Sequence, residues 1–252
     1  MVKLENISYK INDKIILNNI NCIFEQGKIS LILGANGAGK STLIKIISGE
    51  NKTKSGSIFL NNHNIEEYSF SEMAKFRAVL SQNLELSFPL TVFEVVIMGR
   101  YPHFKGKIDK KNIEICLNAM DLFNVADLKD RNYLTLSGGE KQRVQFARVF
   151  SQIWQNESSQ QRILLLDEPL TYLDIFYQYD LMDKITNFIL SNHDVTVVGV
   201  VHDLNIAAKY ADNIMFLKNN SIYKYGETKS IITEENIYEV FNIKVKTYIE
   251  VQ

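Results

Sequence analysis

Residues 34–41 read G-A-N-G-A-G-K-S, directly after the apolar run of residues 29–33 and directly before the helix-compatible T-L-I-K-I-I-S of residues 42–48. A glycine-rich loop set between a buried strand and a helix is the P-loop pattern in the context it requires. Glycine permits backbone angles closed to other residues and lets main-chain N–H groups close on phosphate oxygens. The helix start adds about half a positive charge. Gly34, Asn36, Gly37, Ala38, Gly39, Lys40, Ser41 and Thr42 are therefore the expected contacts to a nucleotide's phosphates. Lys40 is placed to reach the β- and γ-phosphates, and the Ser41 hydroxyl to bind Mg²⁺.

Outward from this loop, short apolar runs bounded by turn residues alternate with segments of helical period, the pattern of a mainly parallel α/β sheet. Buried strands are predicted over 28–33, 78–81, 162–166 and 195–201, and helices over 40–48, 175–191 and 204–211. Within 175–191, Ile175, Tyr179, Met182, Ile185 and Ile189 mark one apolar face. Alternating segments at 4–9, 57–60, 213–217 and 221–225 predict antiparallel strands. Residues 90–154 read as helical throughout, with Ile113, Cys116, Leu117 and Met120 at i, i+3, i+4 and i+7, and form a predicted helical insert. One loop, QNESSQQ at 155–161, is loose in composition.

A chain of 252 residues buries a sizeable core without disulfide staples. With 46% hydrophobic and 23% charged residues it falls among ordinary globular proteins rather than disordered ones. The 28 basic residues against 29 acidic ones leave a net charge of 28 − 29 = −1, so no global field draws in a polyanion such as nucleic acid. Cys22 and Cys116 have no metal-ligand spacing and are too few for a disulfide framework, so both are expected reduced and buried. The longest apolar runs, 163–166 and 195–201, fall far short of the roughly 20 residues of a membrane helix. The first ten residues lack the pattern of a secretory signal. The chain is expected to stay where it is made and not to span a bilayer by itself.

Residues 162–168 read R-I-L-L-L-D-E, an apolar strand ending in two carboxylates at the edge where ligands bind in open α/β sheets. Alternate side chains on a strand point to opposite faces, so the two acids are expected to differ in role. Asp167 is the expected Mg²⁺ partner, and Glu168 is placed to poise an attacking water. Residues 136–140 read L-S-G-G-E and open a helix with Val144, Ala147, Phe150 and Trp154 every three to four residues. Ser137, Gly138 and Gly139 at a helix start make a second anion-binding nest.

With two phosphate sites in one chain, the sequence resembles the nucleotide-binding subunits of ABC transporters over nearly its whole length. The resemblance implies a P-loop ATPase fold: a RecA-like core with an antiparallel β subdomain (1–89 and 155–252) and a helical signature subdomain (90–154), together one domain over 1–252. It implies ATP and Mg²⁺ as ligands and a head-to-tail homodimer in which the P-loop of one copy and Ser137 of the other enclose each ATP. It further implies that Gln82, in V-L-S-Q, contacts Mg²⁺ and water, that Asp174, in T-Y-L-D, crosses the dimer interface, and that His202, in V-V-H-D, touches the γ-phosphate. His63, His103 and His193 have no such support and are expected at the surface. Two positions depart from the family pattern. Leu170, Thr171 and Tyr172 follow Pro169 where Thr, Ser and Ala are usual, and Ile11 stands where many members stack an aromatic ring on adenine.

The stretch L-T-V-F-E-V-V-I-M-G-R-Y-P-H-F at 90–104 resembles ATPases that energise import of iron siderophores, haem and cobalamin, in which this region packs near the membrane subunit. Tyr101 and Phe104 are equally readable as a turn packed on the helical subdomain. A-R-V-F-S-Q-I-W at 147–154, followed by an extended loop, is similar to haem-import ATPases, whose pattern is A-R-V-x-x-Q-x-W. The resemblance therefore points to a haem importer, with siderophore or cobalamin import as the alternative. A soluble ABC ATPase acting on ribosomes or DNA is the reading from another class. The implied partners are integral membrane permease subunits and, indirectly, a substrate-binding protein, with no nucleic acid; the implied location is peripheral, on the cytoplasmic face of the inner membrane.

Overall fold

The computed structural model describes residues 1–53, 55–81, 86–155 and 160–246. In chain order the elements are β1 (Val2–Ile11), β2 (Lys14–Phe24), β3 (Ile29–Gly34), α1 (Lys40–Ile47), β4 (Ser55–Leu60), β5 (His63–Asn64), α2 (Phe70–Met73), β6 (Arg77–Leu80), α3 (Val92–Ile97), α4 (Lys110–Leu122) and α5 (Gly138–Gln152). Then follow β7 (Arg162–Asp167), α6 (Ile175–Ser191), β8 (Val195–Val200), α7 (Leu204–Tyr210), β9 (Asn213–Lys218), β10 (Ser221–Glu227), α8 (Thr228–Ile231) and α9 (Glu234–Phe241). The chain divides into two compact units, Met1–Ile65 with Val197–Gln252, and Glu66–Thr196.

In the first unit, an antiparallel sheet has the order β2-β1-β4-β5. Val2, Leu4 and Ile7 of β1 are buried, as are Leu17, Ile20 and Phe24 of β2, because one pleat face carries the apolar side chains. The same unit orders its other strands β10-β9-β3-β8, with β3 parallel to β8 and β9, and β10 antiparallel to β9. Every residue of β3 is buried, as a strand covered on both faces requires. Ile32 lies opposite Val200, so the loop that starts at Gly34 and the stretch holding His202 leave the sheet at one edge.

In the second unit, β6 runs parallel to β7. Helix α5 packs on α3 and α4. Phe150 meets Phe123 and Phe188 edge-on, with centroids 4.8 and 4.9 Å apart. Three helices of this unit begin with capping boxes, Ser69 with Glu72, Thr91 with Glu94, and Ser137 with Glu140. Arg162 is 3% exposed, and its guanidinium is satisfied by Asp194, by Asn192 and by the carbonyls of Ile153 and Trp154.

Several expectations are corrected. Residues 90–154 are not helical throughout: α3 runs into a 3₁₀ turn at Met98–His103, and irregular stretches precede α4 and α5. The buried face of α4 is Asn112, Ile115, Cys116, Ala119 and Met120, with Ile113 and Leu117 on its flank. The rotation has a cause, since Asn112 turns inward to accept a 2.7 Å bond from the buried Arg100 Nε. On α6, Met182, Ile185 and Ile189 are buried as expected, but Ile175 is 73% exposed because it occupies the first turn. Trp154 lies beyond the end of α5 and rests beside Phe188. Cys116 is buried and Cys22 only half-buried, and burial pushes both thiols up to about 12. His63 and His193 are exposed, whereas His103 is half-buried with its Nε2 2.7 Å from the Gln152 carbonyl oxygen. Residues 156–159 of the polar loop lie outside the described residues.

The caps predict acid sensitivity. The hydroxyl and N–H of Ser69 hold Glu72 below its ordinary pKa, and the N–H and hydroxyl of Thr91 and of Ser137 do the same for Glu94 and Glu140. Depressed carboxyl groups contribute stability that is fully present above the unfolded value, about 4.5, and is lost as pH falls through the folded values. Denaturant midpoints are expected to drop between pH 7 and pH 3. The drop is expected to be smaller in a chain with Glu72, Glu94 and Glu140 all changed to Gln; an equal drop refutes the assignment.

Candidate functional site

Strand β3 stops at Gly34, and α1 opens at Lys40 with Gly39 as its left-handed N-cap at φ +100°. A side chain on Gly39 would meet the Ile16 carbonyl oxygen at 2.6 Å and Leu17 Cδ2 at 2.7 Å. On Gly34 it would meet the Leu217 carbonyl oxygen at 2.3 Å. Strands β2 and β9 thus press on the loop from behind. Gly37, at φ +79°, has open space around it, so its requirement is conformational. Ala35, Asn36 and Gly37 are exposed, while Ala38 and Lys40 are buried. Lys40 Nζ donates to the carbonyls of Gly34 at 2.8 Å and Ala35 at 3.1 Å, which curls the cation into the loop. Ser41 and Thr42 are half-buried in the first turn of α1.

This set fits a nucleotide's phosphates: an exposed loop crest without bulky side chains, a helix start and a buried cation. It also suits Mg²⁺, which takes hard oxygen ligands such as the Ser41 hydroxyl and keeps several waters. Among the described residues no cluster of three or more His, Cys, Asp or Glu side chains is placed to hold a metal.

Asp167 closes β7 and is 4% exposed. Glu168 is half-buried and has left already the strand, with φ +52°. A left-handed backbone separates the two carboxylates, not the strand alternation expected from sequence. For a residue with a side chain this conformation costs roughly 1 to 2 kcal/mol. It is held by Thr171, whose hydroxyl donates to the Glu168 carbonyl at 3.0 Å. His202 is exposed beyond β8, one residue before Asp203, which caps α7.

An open cavity of about 420 Å³ in the second unit is lined by Ser137, Gly139, Glu140, Arg143, Tyr172 and Asp174, among others. It brings together Ser137 and Asp174, 37 positions apart in the chain. Gly138 and Gly139 lie against Tyr172 and Leu173. The Ser137 hydroxyl donates to Glu140 Oε2 at 2.8 Å, and Asp174 caps α6 by accepting from the Tyr177 N–H at 3.1 Å. Tyr172 is 71% exposed at φ +69°, an unusual backbone state for an aromatic residue. Sequence reasoning did not assign Glu140, Arg143 or Tyr172 to a site. The S-x-x-E spacing of Ser137 and Glu140 is a legible capping signal, whereas the cavity depends on folding. Gln82 lies outside the described residues. Ile11 is 51% exposed where β1 turns into β2.

Removing the Lys40 cation is expected to weaken ATP binding roughly 10- to 100-fold, the worth of a charge-assisted hydrogen bond. Titration of Lys40→Ala with a fluorescent ATP analogue checks this, and undiminished affinity refutes the phosphate-cradle assignment.

The family model described as ABC transporter matches residues 17–171. The hemin import ATP-binding protein HmuV of Gloeobacter violaceus is 40% identical over 244 residues, covering 97% of this chain and 88% of that protein. Among solved structures, an ABC transporter assigned to the metal-chelate type, in an inward-facing conformation, is 26% identical with a TM-score of 0.80, covering 96% of this chain and 89% of the other. A dimeric bacterial ABC transporter cassette is 25% identical with a TM-score of 0.78, covering 90% and 99%. With over half its length matched by the family model and a relative that spans nearly all of it, this chain belongs to the ABC transporter family as an ATP-binding subunit of P-loop ATPase fold.

Proposed function

We propose that this chain hydrolyses ATP to energise import of haem through a membrane ABC transporter. The observation that carries the reading is the 40% identity, over 97% of this chain, to a protein named for hemin import. It acts as one ATPase domain over 1–252 with 90–154 as its helical signature part. The working unit is two copies head to tail beneath two permease subunits, with a substrate-binding protein delivering the chelate. The subunit is peripheral, at the cytoplasmic face of the inner membrane; among the described residues no helix is long and apolar enough to cross a membrane.

Gly34, Asn36, Gly37, Ala38, Gly39, Lys40 and Thr42 grip the phosphates of ATP in one copy, and Ser137, Gly138 and Gly139 of the other copy close on the γ-phosphate. Asp174 spans the interface between copies. Ser41, Gln82 and Asp167 hold Mg²⁺, which when bound supplies charge neutralisation at the β- and γ-oxygens. Glu168 orients or deprotonates the attacking water, and His202 steadies the γ-phosphate. Hydrolysis removes the contacts that hold the copies together and reopens the dimer.

Glu168→Gln is expected to bind ATP, remain a closed dimer on gel filtration and lose roughly 10²- to 10³-fold in turnover. Turnover near wild type refutes the role of Glu168. Reconstitution of the chain with its permease partner, comparing hemin, a ferric siderophore and cobalamin as stimulants of ATPase activity, tests the cargo. Selective stimulation by hemin supports the reading, and stimulation by another chelate alone overturns it.

A further inference from the structure

The glutamine of A-R-V-F-S-Q-I-W is Gln152, the last residue of α5, and the ATPase chemistry gives it no task. The structure does. Its side-chain amide donates to the carbonyls of Ala74 at 2.8 Å and Arg77 at 3.0 Å, which ties α5 to the start of β6. Its main-chain carbonyl lies 2.7 Å from His103 Nε2 and accepts from Arg100 Nη1 at 3.4 Å. The turn Met98–His103 is fastened to the same helix end in two further ways. Arg100 also donates to the Ser151 carbonyl at 2.8 Å, and Gly99 lies so close that a side chain there would meet the Arg148 carbonyl oxygen at 2.1 Å.

Three segments therefore converge on one residue: β6, which ends two positions before Gln82; the turn whose Tyr101 is 58% exposed; and α5, whose other end carries Ser137. A helix is stiff along its axis, so a displacement of the turn is carried along α5 to Ser137, and the Gln152 amide passes it on to the start of β6.

We propose that Gln152 is a positioning residue whose side-chain amide couples the signature helix, with the turn Met98–His103 fastened to its end, to the start of β6, so that permease movement reaches β6 as well as Ser137. The inference rests on the transport reading above. Gln152 is not among the residues that line the Ser137 cavity, so its loss bears on coupling rather than on hydrolysis itself. Gln152→Leu keeps the bulk and removes both amide donors. Gln152→Lys keeps N–H donors at the end of a flexible side chain.

The test uses the full transporter reconstituted in vesicles, reading basal ATPase rate, hemin-stimulated rate and melting temperature. The expected result is a basal rate of Gln152→Leu close to wild type, a ratio of stimulated to basal rate lowered roughly 2- to 30-fold, and restoration by Gln152→Lys. A fall of both rates in proportion, together with the melting temperature, marks a merely structural residue and overturns the inference. A Leu variant stimulated as fully as wild type overturns it too and leaves the transport reading standing. Absence of stimulation in the wild-type complex overturns the transport reading and this inference together.

Discussion

Main-chain N–H groups can grip phosphate only where no side chain stands between the chain and the anion. In this protein that constraint is enforced from outside the loop. Leu217 at the end of the β9 core and Ile16 and Leu17 of β2 press against Gly34 and Gly39 so closely that a single methyl group at either glycine would collide. The path of the glycine-rich loop is thus a property of three strands. Lys40, turned onto the carbonyls of Gly34 and Ala35, has its charge at the place where a phosphate would gather it.

The second unit shows the same economy at its acidic edge. Asp167 is fixed by the strand, whereas Glu168 and Tyr172 occupy left-handed backbone states on either side of Pro169, Leu170 and Thr171. Such states persist where neighbours over-determine them. Here the Thr171 hydroxyl holds the Glu168 carbonyl, and the Gln142 amide of α5 donates to the Pro169 carbonyl at 2.7 Å. The turn that carries Glu168 is therefore tied to α5. Ser137 begins that helix with its hydroxyl committed to Glu140, a carboxylate held ionised by the same hydrogen bonds.

Much of the fold was legible because its signals are local. Strands β3, β7 and β8 are runs of apolar residues buried on both faces, and the limits of α6 at Ile175 and Ser191 match the predicted span. Where reading failed, the missing term was a long-range polar bond. The face of α4 turned because Arg100 claims Asn112, and Arg100 itself, fully buried, was read only as one letter of the 90–104 motif. Arg162 was read only as the start of a strand, yet it closes a network with Asp194 and Asn192, some 30 positions away. Periodicity counts apolar side chains and carries no term for a guanidinium that finds carbonyls elsewhere.

The sequence by itself determined the phosphate loop, the order of its motifs and hence the family, because these depend on residue types at fixed short spacings that only one backbone geometry can use. Tertiary structure alone decided the left-handed exit at Glu168, the meeting of Ser137 with Asp174 and the fastening of residues 98–103 to Gln152. The last two join segments far apart in the chain. Hydrogen bonds and van der Waals contact act over a few ångströms, and only the folded chain sets which distant groups come that close.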